Sequence, residues 1–183
     1  QRKPVALLVN FSAHPTTLGA WNMMMSADYP GVLSRELEAR YPGSLAVFLA
    51  GAVGDQVLAK HGDRFEATEW LGTQLAAHAT SIDTAPAHDV PDALEAAQLI
   101  EPLPPAKIRY DGKSLPSWLS RLLVDDDATL SVITVGRVAL IGAPCDLSSE
   151  LGAELMRHAE SAGYRPVIMG FTNDYVGYCV SEA

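Results

Sequence analysis

Apolar residues form two nearly continuous runs in the first third of the chain, at residues 5–11 and 44–50. Such runs are typical of strands that are buried on both faces. Between them, Pro30 and Gly31 begin a segment with apolar residues at helical spacing, and Pro42 follows its end. The pattern therefore predicts a strand, a helix over about residues 30–41 and a second strand.

The rest of the chain continues this alternation of helices and strands. Residues 65–80 predict a helix with Phe65, Leu71, Leu75 and His78 in phase, and residues 148–162 an amphipathic helix with Leu151, Leu155 and Met156 inward. Residues 130–135 and 137–141 flank Gly136 as a hairpin, and residues 166–170 form a last strand. A short helix is expected within residues 115–124, whereas the prolines between residues 93 and 109 argue against a continuous element there.

This order of elements predicts an α/β fold, with a mixed sheet, helices on both faces and a site at the C-terminal ends of the strands. The length of 183 residues suits a single domain. A hydrophobic content of 48% excludes a disordered chain. The net charge of −9 argues against nucleic acid as a partner.

The chain contains no predicted transmembrane segment and no predicted signal peptide. The longest apolar stretch, residues 45–54, has about half of the roughly 20 residues that a membrane span needs. No small-residue cleavage region follows the first apolar run. Oligomeric state stays open at this stage.

Four side chains that can carry chemistry follow four predicted strands: His14, Asp55, Asp146 and Tyr178. In open α/β sheets, ligands bind in the crevice beyond the carboxyl ends of the strands. Imidazole nitrogen and carboxylate oxygen are ordinary zinc ligands, and a deprotonated phenol can serve too. If the strands are neighbours with one direction, these side chains converge on one point.

Each of these residues also has a structural explanation. His14 fits a loop residue that bonds nearby backbone, and Asp146 fits an N-cap for the helix that begins near Ser148. Tyr178 fits a packed aromatic ring with a solvated hydroxyl, and Asp55 fits a turn. Position alone favours the structural explanation of each.

Five short segments, in order along the chain, resemble landmarks of the neutral/alkaline (non-lysosomal) ceramidase family. Residues 10–16 read Asn-Phe-Ser-Ala-His-Pro-Thr, residues 26–31 Ser-Ala-Asp-Tyr-Pro-Gly and residues 48–55 Phe-Leu-Ala-Gly-Ala-Val-Gly-Asp. Residues 142–150 read Gly-Ala-Pro-Cys-Asp-Leu-Ser-Ser-Glu, and residues 170–178 Gly-Phe-Thr-Asn-Asp-Tyr-Val-Gly-Tyr. Together they span nearly the whole chain.

The resemblance implies a zinc-dependent hydrolase of the N-acyl bond of a lipid-like substrate such as ceramide. Residue by residue, it places the metal on His14, Asp146 and Tyr178, a catalytic role on Asp55, and the substrate pocket at Asp28, Asn173 and Tyr175. It also implies that a first histidine ligand lies upstream of Gln1, in an earlier part of a larger catalytic domain. By the same analogy, the protein is expected to be secreted or periplasmic.

Two positions depart from the family pattern. Val57 stands where the family motif Gly-Asp-x-Ser-Pro has its serine, and Asp146 stands where the family has glutamate. These departures favour an alternative hypothesis, that of a non-catalytic member of the same fold that binds a lipid or glycan.

Two further features carry weaker predictions. Met23, Met24 and Met25 could fill gaps in a core or form an apolar wall beside His14. Cys145 and Cys179, each next to a candidate ligand, can form only one disulfide, and they would lie close together if their two loops meet.

Overall fold

The computed structural model describes residues 4–59, 61–82, 93–104, 109–110, 113–114, 116 and 126–181. Within these ranges the chain forms three helices: α1 (Asp28–Arg40), α2 (Phe65–Ser81) and α3 (Ser149–Ser161). The strands are β1 (Ala6–Phe11), β2 (Leu45–Ala50), β3 (Leu94–Pro102), β4 (Arg109–Tyr110), β5 (Lys113–Ser114), β6 (Asp127–Val135), β7 (Val138–Gly142), β8 (Asp146–Leu147), β9 (Arg165–Met169) and β10 (Tyr178–Cys179). The predicted α/β class is confirmed.

The sheets are mixed, as predicted. Four strands pair in the order β3-β6-β7-β9, and within this sheet β7 and β9 run parallel while the other pairs are antiparallel. β1 and β2 form a parallel pair, as do the two-residue strands β8 and β10, and β4 and β5 form an antiparallel pair. The predicted hairpin is confirmed as β6 and β7.

Hydrogen bonds join the β1–β2 pair to β9. The amide of Gly170 donates to the carbonyl of Ala50 at 2.8 Å. The Asn10 side chain donates to the carbonyls of Leu49 and Ile168, at 3.0 and 2.8 Å. The carboxyl ends of β1, β2 and β9 therefore meet, and the loops that follow them open on the same edge.

Two clusters of buried residues hold the helices against the strands. Leu33 and Leu37 of α1 pack with Ala46 of β2 and Ala76 of α2. Leu151 and Leu155 of α3 pack against a second cluster that includes Ile168 of β9. The second cluster supports the loops at the edge described above.

The structure corrects several details of the predicted elements. β1 and β2 are not buried on both faces, since Leu8 and Leu45 are mostly exposed. Proline did not prevent a continuous strand between residues 93 and 109, because Pro102 lies at the last position of β3, where its missing N–H interrupts little. α1 begins at Asp28, two residues earlier than expected.

The buried faces of two helices also differ from prediction. α2 buries Ala67, Thr68, Gly72 and Ala76, whereas Phe65 and His78 are exposed. Gly72 lies directly against the Val32 side chain, so small residues let α2 approach α1 closely. In α3, Leu151 and Leu155 face inward as predicted, but Met156 is exposed.

Some predictions lie outside the described residues or concern membranes. The short helix expected within residues 115–124 falls almost wholly outside the described ranges. Among the helices that the structure describes, none is long and apolar enough to cross a membrane.

Candidate functional site

His14 and Asp146 meet at the edge formed by the strand ends. His14 lies three residues beyond β1, and Asp146 lies in β8, four residues beyond β7. His14 Nε2 and Asp146 Oδ1 are 3.1 Å apart. Sequence reasoning predicted this convergence from residues that are 132 positions apart.

The two facing atoms are buried and have no hydrogen-bond partner in the part of the chain that the structure describes. Their separation would suit an ion pair with a protonated imidazole, but the geometry does not make a hydrogen bond. Buried polar atoms are almost always satisfied, because an unpaired one costs free energy. A third group placed beside this pair would satisfy both atoms.

The backbone around Asp146 is held closely by the loop that follows β2. The amide of Gly54 donates to the carbonyl of Leu147 at 2.8 Å. A Cβ atom at residue 54 would come within 2.6 Å of the Asp146 carbonyl oxygen, so only glycine allows this approach. The Asp146 side chain is 2% exposed as a result of this packing.

Tyr175 holds the second oxygen of the Asp146 carboxylate. Its hydroxyl donates to Oδ2 at 2.6 Å. This hydrogen bond, followed by desolvation and the negative charge of Asp146, raises the pKa of the Tyr175 phenol above its ordinary value. The carboxylate thus has one oxygen bonded to tyrosine and the other facing His14.

Tyr178 lies near both His14 and Asp146. In the β8–β10 pair Tyr178 is opposite Asp146, and its ring centroid is 6.4 Å from that of His14. The side chain is 62% exposed, so it is not the packed aromatic of the structural explanation. Phe171, which sequence reasoning did not single out, lies 6.0 Å from the His14 ring.

These side chains fit the donor set of a zinc site only in part. Within the described ranges, no group of three His, Cys, Asp or Glu side chains is placed to hold a metal ion. The donors present are the imidazole of His14, the carboxylate of Asp146 and the nearby phenol of Tyr178. The two unpartnered atoms are of the kinds that zinc prefers, and they are the observation that favours a metal here.

Tyr29 supports the loop that carries His14. It is fully buried, and its hydroxyl donates to the Ala13 carbonyl at 2.6 Å. Burial, with a smaller contribution from Asp28, raises the pKa of its phenol. The sequence analysis did not single out Tyr29. The only available signal is general, namely that a buried tyrosine usually needs a hydrogen-bond partner for its hydroxyl.

Asp28, expected in the substrate pocket, is buried at the start of α1 and bonds to the segment that follows His14. Its Oδ1 accepts hydrogen bonds from the Thr17 hydroxyl at 2.6 Å and from the Tyr29 amide at 2.7 Å. Its φ of +50° is unusual for a residue other than glycine. These contacts make Asp28 a residue that shapes the chain between His14 and α1.

Asp55, expected to be catalytic, is hydrogen-bonded to Ser149 at the start of α3. Its carboxylate accepts from the Ser149 amide at 2.8 Å and from the Ser149 hydroxyl at 2.7 Å. Those two bonds are the main reason why the pKa of Asp55 lies below its ordinary value. The N-cap of α3 is Ser148, so the alternative that Asp146 caps this helix is wrong.

Asn173, also expected in the pocket, is hydrogen-bonded to strand β6. Its Nδ2 donates to the Thr129 carbonyl at 3.2 Å and to the Ser131 hydroxyl at 3.1 Å. Asn173 has a φ of +69°, which asparagine tolerates better than most residues. The contact fixes the loop between β9 and β10, which carries Tyr175.

A pocket of about 230 Å³ begins two residues beyond His14. Thr16 and Thr17 form one wall, and the remaining lining is mostly apolar: Val57, Leu58, Ala59, His61, Ala67, Trp70 and Leu71. The rings of His61 and Trp70 stack with centroids 4.4 Å apart. Val57, at the position of the family's serine, is 91% exposed.

The three consecutive methionines do not fill a core. Met23, Met24 and Met25 are all largely exposed, as is Trp21. The two cysteines do form the one disulfide that was possible, and their Cα atoms are 6.0 Å apart. The loops that carry Asp146 and Tyr178 therefore do meet.

Comparison with known proteins gives a consistent result for the fold. The sequence matches no protein-family model and no curated protein at a significant level. The structure is similar to a crystal structure of neutral ceramidase from Pseudomonas aeruginosa, with a TM-score of 0.78 and 18% identity over 97% of this chain and 38% of that one. It is also similar to a structure described as ceramidase complexed with C2, with a TM-score of 0.77 and 18% identity over 96% and 40% of the two chains.

This chain therefore spans about two fifths of the length of these structures. At 18% identity the likeness concerns the fold and not the activity. The resemblance that the five sequence segments indicated is confirmed in the fold, which is that of the neutral ceramidases.

Proposed function

We propose that this chain carries part of the active site of a zinc-dependent hydrolase that cleaves the N-acyl bond of a lipid-like substrate. The single observation that supports this most strongly is the pair of unpartnered buried atoms, His14 Nε2 and Asp146 Oδ1, 3.1 Å apart. The similarity in fold to ceramidase structures supports the substrate class.

In this proposal His14, Asp146 and Tyr178 hold the metal, and a further histidine comes from residues that precede Gln1 in a larger catalytic domain. When bound, zinc supplies a Lewis acid that polarises the acyl carbonyl and lowers the pKa of a water molecule. Tyr175 keeps Oδ2 of Asp146 occupied, so that Oδ1 stays directed at the metal position. Groups that hydrogen-bond to a metal ligand commonly orient that ligand and tune its basicity.

The pocket beside His14 is the proposed place for the acyl chain. Its mostly apolar lining suits an aliphatic chain, whose burial is favourable by about 0.8 kcal/mol for each CH₂ group. Thr16, which also lines the pocket, is two residues beyond His14 in the chain. We place the substrate amide at this side of the pocket.

The test is hydrolysis of a medium-chain N-acyl sphingosine in detergent micelles by the full-length protein reconstituted with zinc. We expect fatty acid release that is lost in His14→Ala. The matched control is His158→Ala, which removes an exposed histidine of α3, 12 residues beyond Asp146. Retained turnover in His14→Ala, or no turnover of any N-acyl lipid by the zinc-loaded protein, would contradict the proposal.

Val57 favours a second candidate function, that of a non-catalytic lipid-binding domain. A valine offers no hydroxyl at the position where the family has serine, and it lines the pocket. Quenching or enhancement of Trp70 fluorescence by the lipid, together with bound zinc and no turnover, would favour this function over the first.

A further inference from the structure

The Cys145–Cys179 disulfide links the two segments that carry the candidate ligands Asp146 and Tyr178. Each cysteine is the immediate sequence neighbour of a candidate ligand, Cys145 of Asp146 and Cys179 of Tyr178. In the β8–β10 pair, Tyr178 is opposite Asp146 and Cys179 is opposite Leu147. The disulfide thus joins the residue that precedes β8 to the last residue of β10, next to the paired residues Asp146 and Tyr178.

The strands themselves have little capacity to hold this register. β8 and β10 are two residues long, and isolated pairs of short strands are marginally stable in water. Three backbone hydrogen bonds accompany them: Asp146 N–H to Gly177, Ser148 N–H to Cys179 and Val176 N–H to Pro144, at 2.8–2.9 Å. The Tyr178 side chain is mostly exposed and receives little packing that would fix it.

The two ends of the disulfide differ in their surroundings. Cys145 is 1% exposed and belongs to the buried cluster beneath α3. Cys179 is only partly buried and lies at the edge of that cluster. The Asp146 side is therefore anchored by the core, whereas the Tyr178 side depends on the crosslink.

We propose that the disulfide is a redox-sensitive positioning crosslink that keeps Tyr178 at the metal position beside His14 and Asp146. Its reduction by a dithiol would release the Tyr178 segment and weaken zinc binding. This inference rests on the proposed function, since it takes His14, Asp146 and Tyr178 as the ligands.

The redox step is an ordinary thiol–disulfide exchange. A thiolate of the dithiol attacks the Cys179 sulfur, the more accessible of the two, and the Cys145 sulfur leaves. The second thiol of the reductant then resolves the mixed disulfide. The dithiol is oxidised to its own disulfide by two electrons, and Cys145 and Cys179 end as two protonated thiols.

The first measurement is zinc affinity of the full-length protein, by competition with a chromophoric chelator, before and after reduction. We expect reduction to lower the zinc affinity about tenfold or more. Removing a group that orients a metal ligand commonly has an effect of this size. The double variant Cys145→Ala/Cys179→Ala should show the same weakening without any reductant. Because it has no thiols, this variant also excludes zinc capture by the freed cysteines.

Tyr178→Phe shows whether the crosslink acts through the tyrosine. If it does, reduction changes the zinc affinity of Tyr178→Phe little, because the group that the crosslink positions is already absent. A weakening in Tyr178→Phe equal to that in the parent protein would overturn the proposal. So would stronger zinc binding after reduction.

Leu151→Ala is the control for lost stability. Leu151 packs on the same cluster as Cys145, so its truncation weakens that core but leaves the disulfide intact. We expect zinc affinity to be nearly unchanged in this variant. If Leu151→Ala weakens zinc binding as much as reduction does, the disulfide is merely structural.

Hydrogen exchange provides a readout that does not depend on metal. In zinc-free protein, reduction should speed exchange in a peptide covering residues 174–181 much more than in residues 28–40 of α1. Unchanged exchange in residues 174–181 would overturn the crosslink proposal whatever the zinc result. Normal acceleration with no zinc binding in any form would instead count against the proposed function alone.

Discussion

Asp55 and Asp146 follow strands at the same edge of the molecule, and both were candidates for chemistry, yet their surroundings are opposite. Asp55 is exposed, and both of its oxygens accept hydrogen bonds from Ser149. Asp146 is buried, and one of its oxygens faces His14 with no hydrogen-bond partner among the described residues.

The contrast separates a carboxylate that is hydrogen-bonded to a helix end from one that leaves a buried oxygen without a hydrogen-bond partner among the described residues. Asp55 uses its charge at the N-terminus of α3, where the helix dipole and free amides favour an anion. Asp146 is buried with its Oδ1 facing His14 and making no hydrogen bond among the described residues, and burying an incompletely satisfied carboxylate is costly. A protein that tolerates the second arrangement gains something other than stability from it, and we infer that this is a ligand.

The substitution expected to have the largest effect is Asp146→Asn. Zinc affinity should fall more than about 100-fold, because a neutral amide replaces a charged ligand. The Tm of the zinc-free protein should stay level or rise, since the amide can keep the hydrogen bond from Tyr175 and removes a carboxylate oxygen that has no hydrogen-bond partner among the described residues. Chelator competition and thermal unfolding of the same samples measure both quantities.

A large fall in Tm for zinc-free Asp146→Asn, with unchanged zinc affinity, would contradict the contrast between Asp146 and Asp55. Asp146 would then be a structural residue like Asp55. His14→Ala offers an independent check, because it should reproduce the loss of zinc affinity from the other side of the site.

Tyr175→Phe should have an intermediate effect. Loss of the hydroxyl frees Oδ2 of Asp146, so the carboxylate is oriented less well and zinc affinity should fall about tenfold. The matched control is Tyr164→Phe, which alters an exposed tyrosine beyond α3. Equal zinc affinity in the parent protein and Tyr175→Phe would mean that the tyrosine does not orient Asp146.

Asp55→Asn should have the smallest effect, and it should be on stability. Zinc affinity should not change, and the Tm at neutral pH should fall by only about 2 °C because one exposed helix-end interaction is weakened. A loss of zinc affinity comparable to that of Asp146→Asn would contradict the assignment of Asp55 to the helix.

The pH dependence of the same variant sharpens the contrast. The hydrogen bonds from Ser149 lower the pKa of Asp55 in the folded protein below the ordinary 3.8. Its contribution to stability is therefore fully present above about pH 4 and is lost as pH falls through the folded pKa. The Tm difference between the parent protein and Asp55→Asn should shrink below pH 4 and should be constant from pH 5 to 8.

The fold was predicted from sequence better than the packing within it. Alternating apolar runs and helical periodicity located α1, α2, α3 and the β6–β7 hairpin, because those signals are local. Burial depends on contacts with distant parts of the chain, so it is harder to predict. The apolar run of β1 predicts a strand that is buried on both faces, yet Leu8 is exposed. The buried face of α2 was missed because its contacts are made by small residues such as Gly72 rather than by large apolar ones.

At the candidate site, sequence predicted which residues meet but not how each is bonded. The position of His14 and Asp146 after strands predicted their convergence only on the condition that those strands are neighbours and run in one direction. Nothing in the sequence indicated that Tyr175 would bind Asp146, or that Asp55 would bind Ser149, since the partners are 29 and 94 residues apart. Such pairings depend on the register of loops, which no local pattern specifies.

The central claim is that the gap between His14 Nε2 and Asp146 Oδ1 marks a zinc position. Anomalous diffraction at the zinc absorption edge, on crystals of the zinc-loaded full-length protein, tests it most directly. We expect an anomalous peak about 2.0–2.2 Å from both atoms, and no peak there in Asp146→Asn. A zinc-loaded crystal without a peak beside these atoms, or with one that persists in Asp146→Asn, would contradict it.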